Sequence, residues 1–378
     1  MFISSDPSIV ELYLEYGDKF SEFLDNTFLL IVRHDFYIDL FTDPWGANQV
    51  NYFEDANNFC FTNCVPWIGS GEWNNYDVEI MTDERKSDYY SIPQNSHCRF
   101  DIRDRSFKVI NNKLHVWKFG GSIDSMELVE NAFNNAVLEN WESNGTVSLS
   151  SGVDSCAIAV CLADNNIEFN ALCALFNPEF EDKEVLESII EYCGKYINYQ
   201  EIKNETIDYI DKSRALAEIY YRTKNIFKSG RVLTGQHSAN RDKTWADLST
   251  IENSAVSLQG GQFGVMGIQK SMVDWNKPTI PNNIRILNWW EKYAIDVGIE
   301  VRHVYCNKKL VQAWHDLNDS FKLGNKKPFL RKYVTDRDLP HTSGPLTGGF
   351  GNQSPSKYGF TKNLAYVNKV QKNHASSS

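Results

Sequence analysis

From Ser125 onward the apolar positions switch between a helical and a strand period. Between Ser125 and Trp141, residues Leu128, Val129, Ala132, Ala136 and Val137 recur at helical spacing. The apolar, β-branched stretch 146–150 then predicts a strand, and 155–163 a helix. A strand follows over 169–176, then a helix over 182–192 with Val185, Leu186, Ile189 and Ile190 on one face. The alternation continues with a strand near 196–201, a helix near 206–222 and a strand at Arg231–Thr234. Helical patches recur at 288–297 and 308–317. Strands separated by helix-length crossovers predict an α/β fold with a parallel sheet covered by helices on both faces. The chain before this differs in character. Short apolar runs at 28–32, 36–41 and 113–117, broken by Asp, Asn and Gly, read as β-rich. The expected organisation is a smaller β-rich domain over 1–120, an α/β domain over 121–345 and a polar tail over 346–378. A Gly/Ser/Pro/Asn-rich stretch at 343–357 marks the last boundary, and no internal repeat is found.

Composition supports an ordered chain. Its 378 residues suffice for two domains, and 42% hydrophobic with 13% aromatic content suits packed cores. The net charge of −11 disfavours gripping nucleic acid, which calls for a basic face. Met1-Phe2-Ile3-Ser4-Ser5-Asp6 has no basic n-region, and Phe28–Val32 is too short to span a bilayer, so a cytoplasmic protein without a membrane partner is expected. Eight cysteines are scattered, several in apolar runs, which suits reduced, buried thiols. Cys60 and Cys64 with His97 and Cys98 could hold zinc in principle, but their spacing matches no standard pair.

Candidate chemistry concentrates in Ser150-Ser151-Gly152-Val153-Asp154-Ser155, at the junction of a predicted strand and helix. There the first helical amides point outward toward an anion, Gly152 permits a tight turn, and the serines add hydroxyl donors. Asp154 would repel phosphate unless a divalent cation lies between, as Mg²⁺-nucleotide supplies. Ser and Asp are also ordinary helix caps, so a plain cap is the competing reading.

The loop resembles the pyrophosphate loop of the ATP-pyrophosphatase superfamily; no Gly-Lys-Ser/Thr follows it, so it is not a Walker loop. Three further stretches resemble the asparagine synthetase branch. Gly298-Ile-Glu-Val-Arg302-His-Val-Tyr-Cys-Asn307 is similar to that family's "GlExRxPFLD" segment. Lys327-Pro-Phe-Leu-Arg331 is similar to its "K-x-x-LR" helix start, and Arg231-Val-Leu-Thr-Gly235-Gln236-His237 to its "LSGEGxDE" strand and loop. Together they cover 125 to about 340. Asp43-Pro44-Trp45-Gly46 through Phe53 resembles the "DPxGxxPLYY" turn of class II glutamine amidotransferase domains. Such a domain needs a cysteine at position 2; Phe2 stands there, so the resemblance implies ancestry without glutamine hydrolysis.

The resemblance implies ligation in two steps: ATP activates a small-molecule carboxylate as an acyl-adenylate, and ammonia or an amine displaces AMP. It implies an ATP cradle of Ser150, Ser151, Gly152, Val153, Asp154 and Ser155, with Mg²⁺ on Asp154, adenine on the backbone at Leu172–Leu175, and Gly235 close to the nucleotide. Lys327 would stabilise developing charge and His237 would carry a proton. Lys326-Lys327 also reads as a solvated helix start, and Arg302 as a structural ion pair. The family's loop acids are replaced by Gln236 and Ala239, with His237, Asn240 or Asp242 as possible substitutes. A homodimer fits this reading. The alternatives are a nucleotide-binding paralogue with altered or lost catalysis, and an RNA-modifying or thiolating enzyme on the same loop.

Overall fold

The computed structural model describes residues 1–45, 47, 48, 50–54, 59–62, 89–116, 118, 121–175, 182–203, 212–235, 294, 297–321 and 328–340. The described residues up to Val116 belong to one compact unit and those from Lys118 to a second.

The first unit is antiparallel. Strands β1 (Phe2–Ser4), β2 (Leu29–Arg33), β3 (Tyr37–Thr42), β7 (His97–Asp101) and β8 (Phe107–Asn111) form one sheet in the order β1-β2-β3-β7-β8. Strands β4 (Asn51–Glu54), β5 (Phe59–Thr62) and β6 (Tyr89–Ser91) form a second, ordered β5-β4-β6. Helix α1 (Pro7–Tyr16) starts where Asp6 accepts a hydrogen bond from the Ser8 amide. The apolar runs are continuous because both faces of the larger sheet are covered. Leu30, Val32 and Phe41 pack with Ile9 of α1 and Phe20, while Leu29, Ile38, Leu40, Cys98 and Phe100 pack with Tyr52 of the smaller sheet.

The last strand of this unit corrects the expectation of an apolar β run at 113–117. The strand lies at 107–111 and is exposed along its whole length, so no buried alternation marks it. The Leu114 amide instead bonds the Asn95 carbonyl, and the His115 amide bonds Asn95 Oδ1. The apolar residues there are held by a side-chain-closed turn, not a ladder.

The second unit is the expected α/β layer. Helix α2 (Glu127–Asn140) leads into β9 (Thr146–Leu149), α3 (Val153–Asp164), β10 (Phe169–Leu175), α4 (Lys183–Cys193), β11 (Ile197–Lys203), α5 (Lys212–Asn225) and β12 (Arg231–Thr234). After the undescribed stretch come β13 (Glu300–His303), α6 (Lys308–Asp316) and α7 (Pro328–Thr335). All five strands are parallel, in the order β11-β10-β9-β12-β13. The chain leaves β9 in one direction across the sheet and returns to its other side at β12. Strand order therefore reverses between β9 and β12.

Burial explains the elements. Every residue of β9 is buried, and in α3 all residues from Val153 to Ala163 except Asp154 are buried. Such an all-round apolar helix belongs in the interior. The stripe on α2 is Val129, Phe133, Ala136, Val137 and Asn140, whereas Leu128 is 48% exposed. The expected face was turned by one position because Phe133, not Leu128, anchors it. Helix 206–222 is described only from Lys212, and the patch at 288–297 lies almost wholly outside the described residues. No helix among the described residues is long and apolar enough to cross a membrane.

Candidate functional site

The switch between β9 and β12 is where open parallel sheets form a crevice at the carboxyl ends of their strands. Here the loop 150–152 leaves β9 and Gly235 leaves β12. The loop is closed on itself by serine side chains. The Ser155 hydroxyl accepts from the Ser150 amide at 3.0 Å and lies within donating distance of the Ser150 and Gly152 carbonyls, at 3.1 and 3.2 Å. Ser150 Oγ lies 3.0 Å from Ser155 Oγ and accepts from the Gly152 amide. Ser151 is fully buried, and its Oγ accepts from the Asp182 amide at 3.1 Å, which ties the loop to the start of α4. Asp182 in turn accepts from the Val185 amide as the N-cap of α4.

Three consequences refine the reading of the loop. Ser151 and Ser155 are buried and hold its shape, so Ser150 is the one partly open serine of the three. Gly152 adopts φ −72° and ψ 134°, which any residue can take, so its use here is not a special backbone conformation. A Cβ at Gly152 would meet only Ser150 Oγ, at 3.2 Å, so the missing side chain keeps the mouth of the helix clear. Gly152 stands at the N-cap of α3 and supplies no side-chain cap, and the bonds made by Ser150 and Ser155 close the loop on itself.

Asp154 lies half-buried in the first turn of α3, where the helix dipole favours a carboxylate. Its main-chain carbonyl accepts from the Tyr305 hydroxyl at 2.8 Å. Tyr305 is fully buried, and its ring stacks on Phe133 of α2 at 5.8 Å. Burial first, and then the charge of Asp154, pushes the phenol well above its ordinary range, so it stays a donor. Gly235 meets the same turn. A Cβ there would fall 2.9 Å from the Ser155 nitrogen and 3.1 Å from Asp154, so only glycine leaves this space open. The first turn of α3, with the bare backbone of Gly152 and Gly235 beside it, fits a phosphate-bearing ligand.

The remaining candidates divide. Leu172 is fully buried inside the ladder, opposite Ser148 on one side and Gln200 on the other. Strand β9 ends opposite Cys173, and β10 runs on through Ala174 and Leu175 paired to β11 alone. Arg302 forms an ion pair with Glu300, which also bonds Arg231, itself 3.1 Å from Glu142. Of its two readings, the ion pair is the one found. Asn307 caps α6 by accepting from the Leu310 amide at 3.0 Å, a task that asparagine performs as well as aspartate. Among the described residues no three His, Cys, Asp or Glu side chains gather as a metal site. Six cysteines, 98, 156, 161, 173, 193 and 306, are free and buried.

Lys327, His237, Gln236, Ala239, Asn240 and Asp242 lie outside the described residues. Helix α7 begins directly after Lys327 in the chain and runs parallel to α3. Its distal end is fixed by Arg337 Nε on Asp164 at 2.6 Å, and one turn back Tyr333 faces Cys161. Tyr305 was missed as a site residue, because nothing in its spacing marks a hydroxyl aimed at a loop 151 residues away.

No family model matches the chain, and no curated protein does. Among solved structures, glutamine phosphoribosylpyrophosphate amidotransferase from B. subtilis, complexed with ADP and GMP, aligns with a TM-score of 0.21 and 8% identity. The alignment covers 61% of this chain and 64% of that one, so the chain spans less than two thirds of its length.

Proposed function

We propose that the chain is an ATP-dependent ligase of the asparagine synthetase type, forming AMP and pyrophosphate as it joins a carboxylate to ammonia or an amine. The observation that carries the reading is the N-terminus of α3, with Gly152 at its N-cap, at the strand-order reversal, with Asp154 in its first turn and Gly235 packed beside it. A carboxylate is a poor acyl donor at neutral pH, so activation by a nucleotide is the chemistry that an anion cradle of this kind would serve.

In this reading Ser150, Gly152, Val153 and Ser155 form the phosphate cradle, and Ser151 holds the loop against α4. Mg²⁺ would neutralise phosphate charge, with Asp154 its protein ligand; one carboxylate plus phosphate oxygens is an ordinary set for this ion. The base binds the main chain toward Leu175, where β10 runs past the end of β9, Leu172 and Cys173 being paired on both sides. Lys327 stabilises negative charge developing at the reacting centre, and His237 carries the proton of the nitrogen nucleophile. With Phe2 on β1 in place of a thiol, free ammonia or a substrate amine serves as nitrogen donor. Replacement of the family's loop acids by Gln236 and Ala239 supports a second reading, nucleotide binding without ligation.

Pyrophosphate exchange into ATP, screened over carboxylic amino acids, tests both. A ligase exchanges label in the presence of one such acid, and Asp154→Ala abolishes exchange and weakens Mg·ATP binding at least tenfold. Mg·ATP binding without exchange for any acid favours the second reading. Unaltered nucleotide affinity in Asp154→Ala removes the loop from either.

A further inference from the structure

We propose that Tyr305 is a positioning residue that sets the metal-dependent part of nucleotide binding by holding the first turn of α3. The inference rests on the nucleotide reading of the loop. Tyr305 follows β13 directly, so its backbone is anchored to the sheet edge by the β12–β13 ladder. Its ring is fixed from α2 by Phe133, which also packs on Phe329 and Tyr333 of α7 at 5.6 and 5.0 Å. From that fixed ring the hydroxyl reaches one atom of the loop, the carbonyl of Asp154, at 2.8 Å.

The choice of acceptor matters. A carbonyl in the first turn of a helix already has a partner one turn on, so the hydroxyl is not needed to satisfy it. What the bond adds is a direction: it fixes the peptide plane between Asp154 and Ser155, and with it the Asp154 Cα–Cβ bond and the Ser155 amide. Gly235 also packs on that same peptide, with room for no side chain. The turn is thus held by a donor from the segment after β13 and by bare backbone at the end of β12. A carboxylate that must share a metal ion with a ligand phosphate tolerates little misplacement, because octahedral Mg²⁺ accepts a narrow range of geometry. Ser150 and Gly152 lie before this peptide, their amides closed by Ser155 Oγ and Ser150 Oγ respectively, so phosphate contact without metal depends on Tyr305 much less.

The test is nucleotide binding by Y305F, measured calorimetrically with the full chain at a series of Mg²⁺ concentrations and in EDTA. The ring stays packed and one oxygen is removed. The expected result is a five- to tenfold higher Mg²⁺ concentration for half-maximal ATP binding, with the weak metal-free affinity unchanged. Phe329→Leu serves as the second variant: it loosens the neighbouring aromatic cluster on Phe133 and Tyr333 without touching Tyr305, and should lower the melting temperature while leaving the Mg²⁺ dependence near wild type. Unchanged Mg²⁺ dependence in Y305F overturns the inference, as does an equal shift in Phe329→Leu, which would mark general loosening. A Y305F chain that fails to fold assigns the hydroxyl to the fold and overturns it too. Wild-type protein that binds no Mg·ATP removes the nucleotide reading itself and this inference with it; the other outcomes leave that reading standing.

Discussion

Gly235 and Asp39 show two ways in which a single residue is constrained by what faces it. At Gly235 the limit is space: a methyl group would sit 2.9 Å from the backbone nitrogen of Ser155, and neither partner can swing aside. Gly235→Ala should therefore cost about 1–3 kcal/mol of stability and displace the first turn of α3. Mg·ATP affinity should fall at least tenfold, and calorimetry giving wild-type affinity would show that the turn does not contact the ligand. At Asp39 the limit is charge. This buried carboxylate on β3 takes two hydrogen bonds from Arg99, at 2.7 and 2.9 Å, and lies 3.1 Å from His97 Nε2 and 3.3 Å from His34 Nε2. Burial pushes its pKa up, but His97 and Arg99 outweigh it and hold the group below its ordinary value of 3.8. The folded state thus binds its proton less readily than the unfolded chain. The stabilisation is complete above about pH 4, the unfolded value, and is lost as pH falls through the lower folded value. Asp39→Asn should lose about 3 kcal/mol at pH 7, because it strands Arg99 opposite a neutral group. It should also flatten the acid limb of the denaturation midpoint plotted against pH; an unchanged limb would assign that limb to other carboxylates.

Elements were legible where burial on one or both faces leaves a period, and illegible where it does not. The β9–α3 junction could be read because a buried strand and a buried helix flank the small residues Ser150, Ser151 and Gly152, a contrast that composition alone reveals. Strand β8 could not, since all five of its residues are exposed and its ladder to β7 depends only on backbone. The serines of the loop were legible as a cluster, yet their division of labour was not. Whether a hydroxyl faces a ligand or closes a turn depends on neighbours such as Asp182, 31 residues away. Helix α7 illustrates the same limit. The resemblance at 327–331 implies its start, but its anchoring comes from Arg337 just beyond it, stacked 3.8 Å over Tyr333, bonded to Asp164 and 3.4 Å from Glu130. Arg337→Ala should cost about 2 kcal/mol in urea denaturation, as expected for a partly buried, charge-assisted cluster. Amides of α7 should exchange faster while those of β9 hold. Equal protection of α7 in mutant and wild type would show that Phe329 and Tyr333 suffice without the clamp.

For the molecule as a whole, the feature that sequence composition conveyed best is its handling of cysteine. Eight thiols scattered through apolar runs predict reduced side chains inside a core, and the six described ones are all free and buried. Their chemistry follows from that placement. Burial pushes Cys161 and Cys193 up to about 12, and raises Cys98, because a thiolate in an apolar interior loses its hydration. The nucleophile in disulfide exchange is the thiolate, so these groups are protected twice, by access and by protonation. Cys60 and Cys64, whose side chains are not described, set the upper bound on ready reaction. Native protein treated with an aromatic disulfide reagent at pH 8 should therefore release at most two equivalents of the coloured thiolate within minutes. In denaturant all eight should react. Slow reaction of the other six should track the rate of unfolding, since a thiol sealed in α3 or β10 opens only when the parallel sheet does. Reducing agent should leave the melting temperature unchanged. A third fast equivalent in the native state would mean that at least one of these cores opens locally, and mass mapping of the labelled residue would say which.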